Sequence, residues 1–593
     1  MYRTKLLPMN PQPPVTKMRT AARTSSARQA ALADSPGVVA PLQHWKTRAA
    51  QVDWTPWLIV ALGAFLRVFL LDIKPPHFDE GINGWFVDQM TKTGFYKYDP
   101  TNYHGPLHFY ILFLSQTLFG RNLWALRMPV VLGSIGAIWL TLKYEPLVGR
   151  KISHLAALAM AVSPGFVFYG RYSIHEVWLV VSSMLFILGA LGLWRFGTRG
   201  YLWCTGMGIA GMILTKETYI IHLGCAFAAV VVAWVSHQIT PAQNVKAAAQ
   251  TWRAADLIAI IAVAIGAIVF FYSGTFMHWN GVKGLYETFE AWLKTGQNGN
   301  GHEKAWYYWL MLIARYEQPI AIGLLACFLC QFYRDIMMRY LAIYGAGVLM
   351  AYSIVHYKTP WCVISIVWPF LFTFGAAFSL VPLRLRARDY ALAGVALLAV
   401  LGFTIYARRA RDFADVWPFF FLAGAAAFFV ISRFKAISQA ALAIVLFISL
   451  ILSVRLNYFR CTTDTEPYVY VQTYNDIWRL TNPLLKLARK DPTKYQLVGH
   501  MIRPSAYPLP WILGDFPKIG YYEHDNLPSP LDADFLVVQE EKIPTVEAKL
   551  QNAYYTMPMR IRPYQDPSKL YLSAKVFKEF FPGKVPDFAG KAR

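Results

Sequence analysis

At 593 residues, 56% of them hydrophobic and 15% charged, the chain carries far less charge than the roughly 25% of a soluble protein. That excludes an ordinary water-soluble globule and makes lipid the expected solvent. The net charge of +23 is uneven: Arg3, Lys5, Lys17, Arg19, Arg23, Arg28, Lys46 and Arg48 precede Trp54 nearly unopposed by acids, and beside an apolar segment they read as cytoplasmic anchoring rather than nucleic-acid binding.

Residues 1–53 are rich in Ala, Ser, Thr, Pro and Gln and lack an apolar run, so a disordered arm is expected. Without the apolar stretch of a signal peptide, the arm leads into 54–73 as an uncleaved first span. Further runs long enough to cross a bilayer lie near 121–142, 153–170, 177–194, 200–215, 218–236, 256–273, 318–333, 340–355, 361–381, 390–406, 416–432 and 437–454. This is an α-helical polytopic membrane protein of about 13 spans. The intervening charges alternate as the positive-inside rule requires. Arg150 with Lys151, Arg195 with Arg199, and Arg334 with Arg339 fall on the cytoplasmic side, whereas Asp79, Glu80, Glu176, Glu217 and Glu303 fall outside. Arg408, Arg409 and Arg411 break the pattern.

The first outer loop, 74–120, opens with Lys74-Pro75-Pro76-His77-Phe78-Asp79-Glu80. Adjacent carboxylates at a membrane surface perturb each other's ionisation, and one can act as a general base while the other orients substrate. The alternative is a pair of first-turn acids stabilising a helix that starts near Glu80. A second long loop, 274–305, contains five glycines from Gly281 to Gly301 and reads as a mobile lid or as a disordered segment. Arg67 is an ionised residue inside the first span, functional by default but near enough to its outer end to snorkel. The six cysteines imply no disulfide framework. From 457 to 593 the composition turns mixed, with strand-like Asp534–Gln539 and Leu570–Leu572 and an amphipathic Thr473–Leu487, which predicts a small α/β domain on the side of the acidic loops.

Several motifs in order carry a resemblance: HFDE after the first span, GFYKYDP…HGP, NLWALRMP, Tyr169-Gly170-Arg171-Tyr172…His175-Glu176, Leu214-Thr215-Lys216-Glu217-Thr218, and Tyr357-Lys358-Thr359-Pro360-Trp361. Together they resemble the GT-C glycosyltransferases, and within them the protein-mannosyltransferase-like group of flippase activity-associated proteins. The resemblance implies a GT-C-like membrane domain over 54–456 in a bacterial or archaeal plasma membrane, with the C-terminal domain outside. It also implies transfer, with inversion, from a polyprenyl-phosphate-linked sugar to a lipid, glycan or protein acceptor, and no nucleic acid as partner.

On that resemblance Asp79 is the catalytic carboxylate and Glu80 positions donor or acceptor, or the two roles exchange. Arg171, Lys216 and Lys358 are the candidate contacts to the lipid phosphate, each with headgroup snorkelling as the alternative. Tyr103, His104, His175, Glu176, Glu217 and His302 complete the expected substrate site. A divalent cation is a possible cofactor, with Asp79, Glu176 and His302 as its candidate ligands. A non-enzymatic flippase or scaffold for lipid-linked saccharides is the competing reading; it calls for ionisable residues deep in several spans, whereas here they cluster at one face.

Overall fold

In lipid a backbone has to satisfy its own hydrogen bonds, and the apolar runs accordingly fold as helices. The computed structural model describes residues 53–102, 104–298, 302–379, 402, 437–523 and 526–588. Its first half contains α1 (Thr55–Val68), α2 (Phe78–Thr93), α3 (Leu107–Phe119), α4 (Leu123–Leu142), α5 (Arg150–Val162), α6 (Glu176–Phe196), α7 (Arg199–Ile213) and α8 (Tyr219–Ile239). Then come α9 (Ala254–Tyr272), α10 (Asn280–Asn298), α11 (Tyr308–Tyr316), α12 (Gln318–Cys327), α13 (Ile336–Ile354), α14 (Val363–Ala377) and α15 (Ile437–Val454).

Among the described residues seven helices are long and apolar enough to span a membrane, and three shorter apolar ones accompany them. The expected spans at 390–406 and 416–432, and the basic cluster at 408–411, lie outside the described residues. The run at 153–170 is broken at Ser163-Pro164, so α5 ends at Val162 and a separate turn of helix covers Pro164–Tyr169. The sequence reading missed α3. Bounded by Gly105-Pro106 and Gly120, its 13 residues fall short of the roughly 17 needed to register as a span.

The second loop is not irregular throughout: Asn280–Asn298 is helical. Gly284 lies against the ring of Tyr98, and the Tyr98 hydroxyl bonds Thr288. Arg67 is fully buried but local in its contacts. Its guanidinium donates to Ser134 Oγ (2.7 Å) and to the carbonyls of Gly63, Met160 and Ala161 (3.1–3.2 Å), tying α1 to α4 and α5. All six cysteines are unpaired.

The C-terminal region is a five-stranded mixed sheet of order β2-β1-β3-β5-β4, with β1 (Gly499–Ile502), β2 (Ile519–Tyr522), β3 (Phe535–Gln539), β4 (Tyr554–Met559) and β5 (Ser568–Ser573). β1 pairs parallel with β2 and β3, while β5 runs antiparallel to β3 and β4. Helix α16 (Trp478–Lys490) covers one face of the sheet. Its apolar stripe Leu480, Leu484, Leu487 and Ala488 packs with Met501, Phe535, Val537 and Leu572, the spacing of a one-faced helix.

From Thr55 onward the chain forms one compact unit, and the seam between its two halves runs along α2. A Cβ at Gly81 would stand 2.5 Å from the Pro508 Cα, and one at Gly84 would stand 2.5 Å from the Trp511 ring. Those distances lie inside van der Waals contact, so only glycine lets the sheet domain approach this closely. Arg121 reinforces the seam, bonding Asp88 at 2.8 and 2.9 Å and also the Trp511 carbonyl. Gly81→Ala is therefore expected to loosen the docking by about 1–3 kcal/mol. The check is amide exchange over 508–513, which should accelerate; unchanged protection there would refute the assignment.

Candidate active site

The site is built where α2 begins. His77 caps the helix: its Nδ1 accepts the Asp79 N–H at 3.1 Å, and the Glu80 carboxylate accepts the His77 N–H at 2.9 Å. On its other edge His77 Nε2 donates to the Tyr470 carbonyl at 2.8 Å. One nitrogen accepting and the other donating fixes a neutral tautomer, and burial, opposed by Asp79, lowers the His77 pKa from its ordinary value.

This cap gives two adjacent carboxylates opposite fates. Glu80 is turned inward and fully buried. Arg127 grips it with two bonds of 2.8 and 2.7 Å, and it also accepts the Ser173 N–H at 2.8 Å. Burial pulls its pKa up, but Arg127, Lys74 and the His77 N–H together hold it below the ordinary carboxylate value. This corrects the catalytic assignment of Glu80: it fastens the loop and does not line the cavity. Asp79 points the other way, 31% exposed, with His77 at 3.6 Å.

The cavity beside Asp79 has a volume of about 210 Å³. Two short backbone pairings assemble its walls. Residues 104–107 run against 214–216, with Gly105 N–H donating to the Thr215 carbonyl and Leu107 N–H to that of Leu214, both at 3.0 Å. In the same way 302–304 pairs with 356–358, through Lys358 N–H to the His302 carbonyl (3.0 Å) and Lys304 N–H to that of His356 (3.1 Å). The lining that results includes Asp79, Asn83, His104, His175, Glu176, Lys216, Glu217, Trp292, Thr359, Trp361 and Cys362.

Inside it Glu176 is paired with Lys216, and Glu217 accepts from His104 Nδ1 at 3.0 Å. His175 stacks between His104 and His108, with ring centroids 4.6 and 4.3 Å away. Its Nε2 is buried without a partner. Burial, aided by His108 and His104, drives the His175 pKa well below its ordinary value, so a neutral ring faces the cavity.

Of the three expected phosphate cations, only Lys216 reaches this space. Arg171 is 2% exposed and closes the end of α1, donating to the carbonyls of Leu66 (2.9 Å), Phe69 (2.7 Å) and Leu70 (2.7 Å). The last four carbonyls of a helix lack intrahelical partners, and a guanidinium satisfies several at once. Lys358 donates to the Lys304 carbonyl at 3.2 Å and to that of Val355. Both are corrected to structural roles. His302 sits behind the cavity with its Nδ1 2.7 Å from the Tyr470 hydroxyl, and Tyr103 lies outside the described residues. Among the described residues no three His, Cys, Asp or Glu side chains gather as a metal group. Asp79, Glu176 and His302 therefore do not fit the expected cation, since Glu176 is committed to Lys216.

Lys74 is a buried ammonium that sequence reasoning did not single out. It is 3% exposed, its Nζ has no hydrogen-bond partner, and it sits 4.0 Å over Phe168 and 4.5 Å over Tyr172. Burial, then Arg127, lowers its pKa to about 7. The unfolded chain then holds more protons than the folded one between about pH 7 and 10.5, so stability from this group rises with pH across that window. Lys74→Met is expected to raise the unfolding temperature at about pH 6 and to lose that advantage by about pH 10. A pH-independent difference would show that the rings fully compensate the charge.

Residues 103–265 match the family model for dolichyl-phosphate-mannose-protein mannosyltransferases. The crystal structure of ArnT from Cupriavidus metallidurans bound to undecaprenyl phosphate superposes with a TM-score of 0.56 at 14% identity, over 88% of this chain and 98% of that one. This chain shares the fold of ArnT. The apo form of the same ArnT gives a TM-score of 0.55 at 14% identity, over 88% of the chain described here and 98% of its own. An Archaeoglobus fulgidus oligosaccharyltransferase tethered to an acceptor peptide reaches 0.44 at 11% identity, over 88% and 73%, too low to add weight. No curated protein sequence matches.

Other residues of this site escaped the sequence reading. Arg127 did so although a lone arginine in an apolar helix calls for a buried acid. Gly81 and Gly84, three apart on one face, signal a close neighbour. Trp292 comes from a distant segment and leaves no local signal.

Proposed function

We propose that the protein is a membrane glycosyltransferase that moves a sugar from a polyprenyl-phosphate-linked donor to an acceptor hydroxyl, with inversion and with Asp79 as general base. The observation that carries this reading is the asymmetry among the carboxylates. Glu80 is paired with Arg127, Glu176 with Lys216 and Glu217 with His104, whereas Asp79 opens on the cavity with only a neutral histidine beside it. A general base needs a carboxylate oxygen open to the acceptor hydroxyl, and the Asp79 carboxylate lines the cavity without an ion pair to a lysine or arginine.

In this scheme the acceptor hydroxyl donates its proton to Asp79 while its oxygen attacks the anomeric carbon, and the bond to the phosphate breaks on the opposite side. Lys216 faces the same space as a cation. The neutral His175 offers one hydrogen bond to a sugar hydroxyl, and Trp292 and Trp361 offer apolar ring faces. ArnT, which shares the fold, binds undecaprenyl phosphate, in keeping with a prenyl-phosphate donor here. The membrane orientation that fits is the one with the sheet domain on the non-cytoplasmic side.

The test is incubation of the purified protein in nanodiscs with radiolabelled polyprenyl-phosphate sugars. Release of prenyl phosphate and appearance of labelled product are expected. Binding of donor with no turnover on any sugar would instead favour the flippase reading.

A further inference from the structure

The cavity itself is poor in cations. Lys216 is paired with Glu176, and Arg127, Arg171 and Lys358 are bound to Glu80 or to backbone carbonyls. A phosphate entering next to Asp79 would meet Lys216, already paired with Glu176, as the one lysine or arginine among the described lining residues. The sheet domain brings a second cation near. Arg562, in the loop between β4 and β5, lays its guanidinium 3.6 Å over the ring of Phe78, the residue preceding Asp79.

Its donors are barely used. Nη2 donates to Ser505 Oγ at 3.1 Å, Nε is buried with no partner, and no described residue accepts from Nη1. A buried donor left without an acceptor is costly and seldom persists without a reason. Asp79 is the strongest charge acting in favour of the Arg562 cation, with Arg503 acting against it, yet no ion pair within 4.0 Å joins Arg562 to Asp79. Arg503 is also close enough to act on it, held by Ser568 Oγ (2.7 Å) and Gln565 Oε1 (2.8 Å), and adds positive potential. A planar fork stacked on an aromatic ring with N–H groups in reserve is the arrangement that grips a phosphate through two parallel bonds.

We infer that Arg562 of the sheet domain, braced by Ser505, is an anion-binding site for a phosphate group held beside Asp79. As a statement about catalysis the inference rests on the transferase reading above; as a statement about binding it does not. The phosphate has two possible sources, the lipid-linked donor or a phosphorylated acceptor, and the experiment separates them.

Full-length wild type, Arg562→Gln and Arg562→Lys, each in nanodiscs, are titrated with two probes: undecaprenyl phosphate in the bilayer and glucose 6-phosphate in solution, with glucose as the uncharged control. Thermal unfolding of each variant verifies its fold, and the Lys variant retains charge without the fork. Wild type should bind at least one phosphate probe about tenfold or more tighter than Arg562→Gln, with Arg562→Lys between them and glucose indifferent to the substitution. Loss confined to undecaprenyl phosphate assigns the donor; loss confined to glucose 6-phosphate assigns the acceptor. Equal affinity of wild type and Arg562→Gln for both probes overturns the site. Because binding is read without turnover, a protein that binds phosphate through Arg562 but transfers no sugar would refute the transferase reading and leave this inference standing.

Discussion

Replacing Asp79 with Asn should lower kcat/KM for sugar transfer by roughly 10²–10⁴ while leaving the unfolding temperature within a degree or two of wild type, the range expected for loss of a general base. The substitution keeps the volume and the one side-chain approach Asp79 makes, to His77 at 3.6 Å. His77 Nδ1 accepts the residue-79 backbone N–H, which Asn also carries, so the cap survives. The loss should fall on kcat more than on KM, because a base acts in the transition state and contributes little to ground-state binding. Prenyl-phosphate release measured under saturating donor is the readout. Wild-type turnover in Asp79→Asn would end the assignment and move attention to the His104–Glu217 pair.

The neighbouring position should behave in the opposite way. Glu80→Gln is expected to destabilise the protein by about 3–5 kcal/mol, the usual consequence of leaving one partner of a buried ion pair alone. Here the stranded charge is Arg127, which is also fully buried. Arg127 would keep its bonds to the carbonyls of Leu71 (2.6 Å), Lys74 (3.2 Å) and Pro75 (3.1 Å), but without a counter-charge. Activity per folded molecule should be far less affected than in Asp79→Asn. Combining Glu80→Gln with Arg127→Met should recover part of the lost stability, because no unpaired charge remains. Thermal unfolding of the two single variants and the double variant gives the coupling energy. A coupling near zero would mean that the pair does not hold the loop.

The pH dependence carries the same signature. The Glu80 pKa is depressed below its ordinary value of 4.5, so its contribution is complete above that value and is lost as pH falls through the folded-state value. Glu80→Gln should flatten this acid limb of the stability profile.

The sequence showed a membrane protein of many helices, because hydrophobic length is a one-dimensional property, but not where a run breaks, as the one expected at 153–170 does after Val162. It also showed the first loop, because two acids after a proline pair interrupt an apolar pattern. It did not show which acid faces the cavity. Asp79 and Glu80 differ by one helical step of 100°, and the direction of that step is set by the His77 cap and by Arg127, 47 residues away. Arg171 and Lys358 illustrate the converse. At the end of a span a cation looks available for a phosphate, but the carbonyls that occupy it belong to backbone elsewhere and carry no side-chain signature. The α3 helix was hidden by its length, and Arg562 by a separation of 483 positions from Asp79.

The contact of Gly81 and Gly84 with Pro508 and Trp511 bears on protein engineering. Exchanging the sheet domain for another would treat the two halves as interchangeable parts, yet here one helix carries both Asp79 and the socket for its neighbour. A graft that omits the proline and the tryptophan would leave two notches open on the helix that carries Asp79, and a donor domain with bulkier residues would not seat. A workable chimaera inherits 78–88 and 505–515 together, as a single transplanted joint.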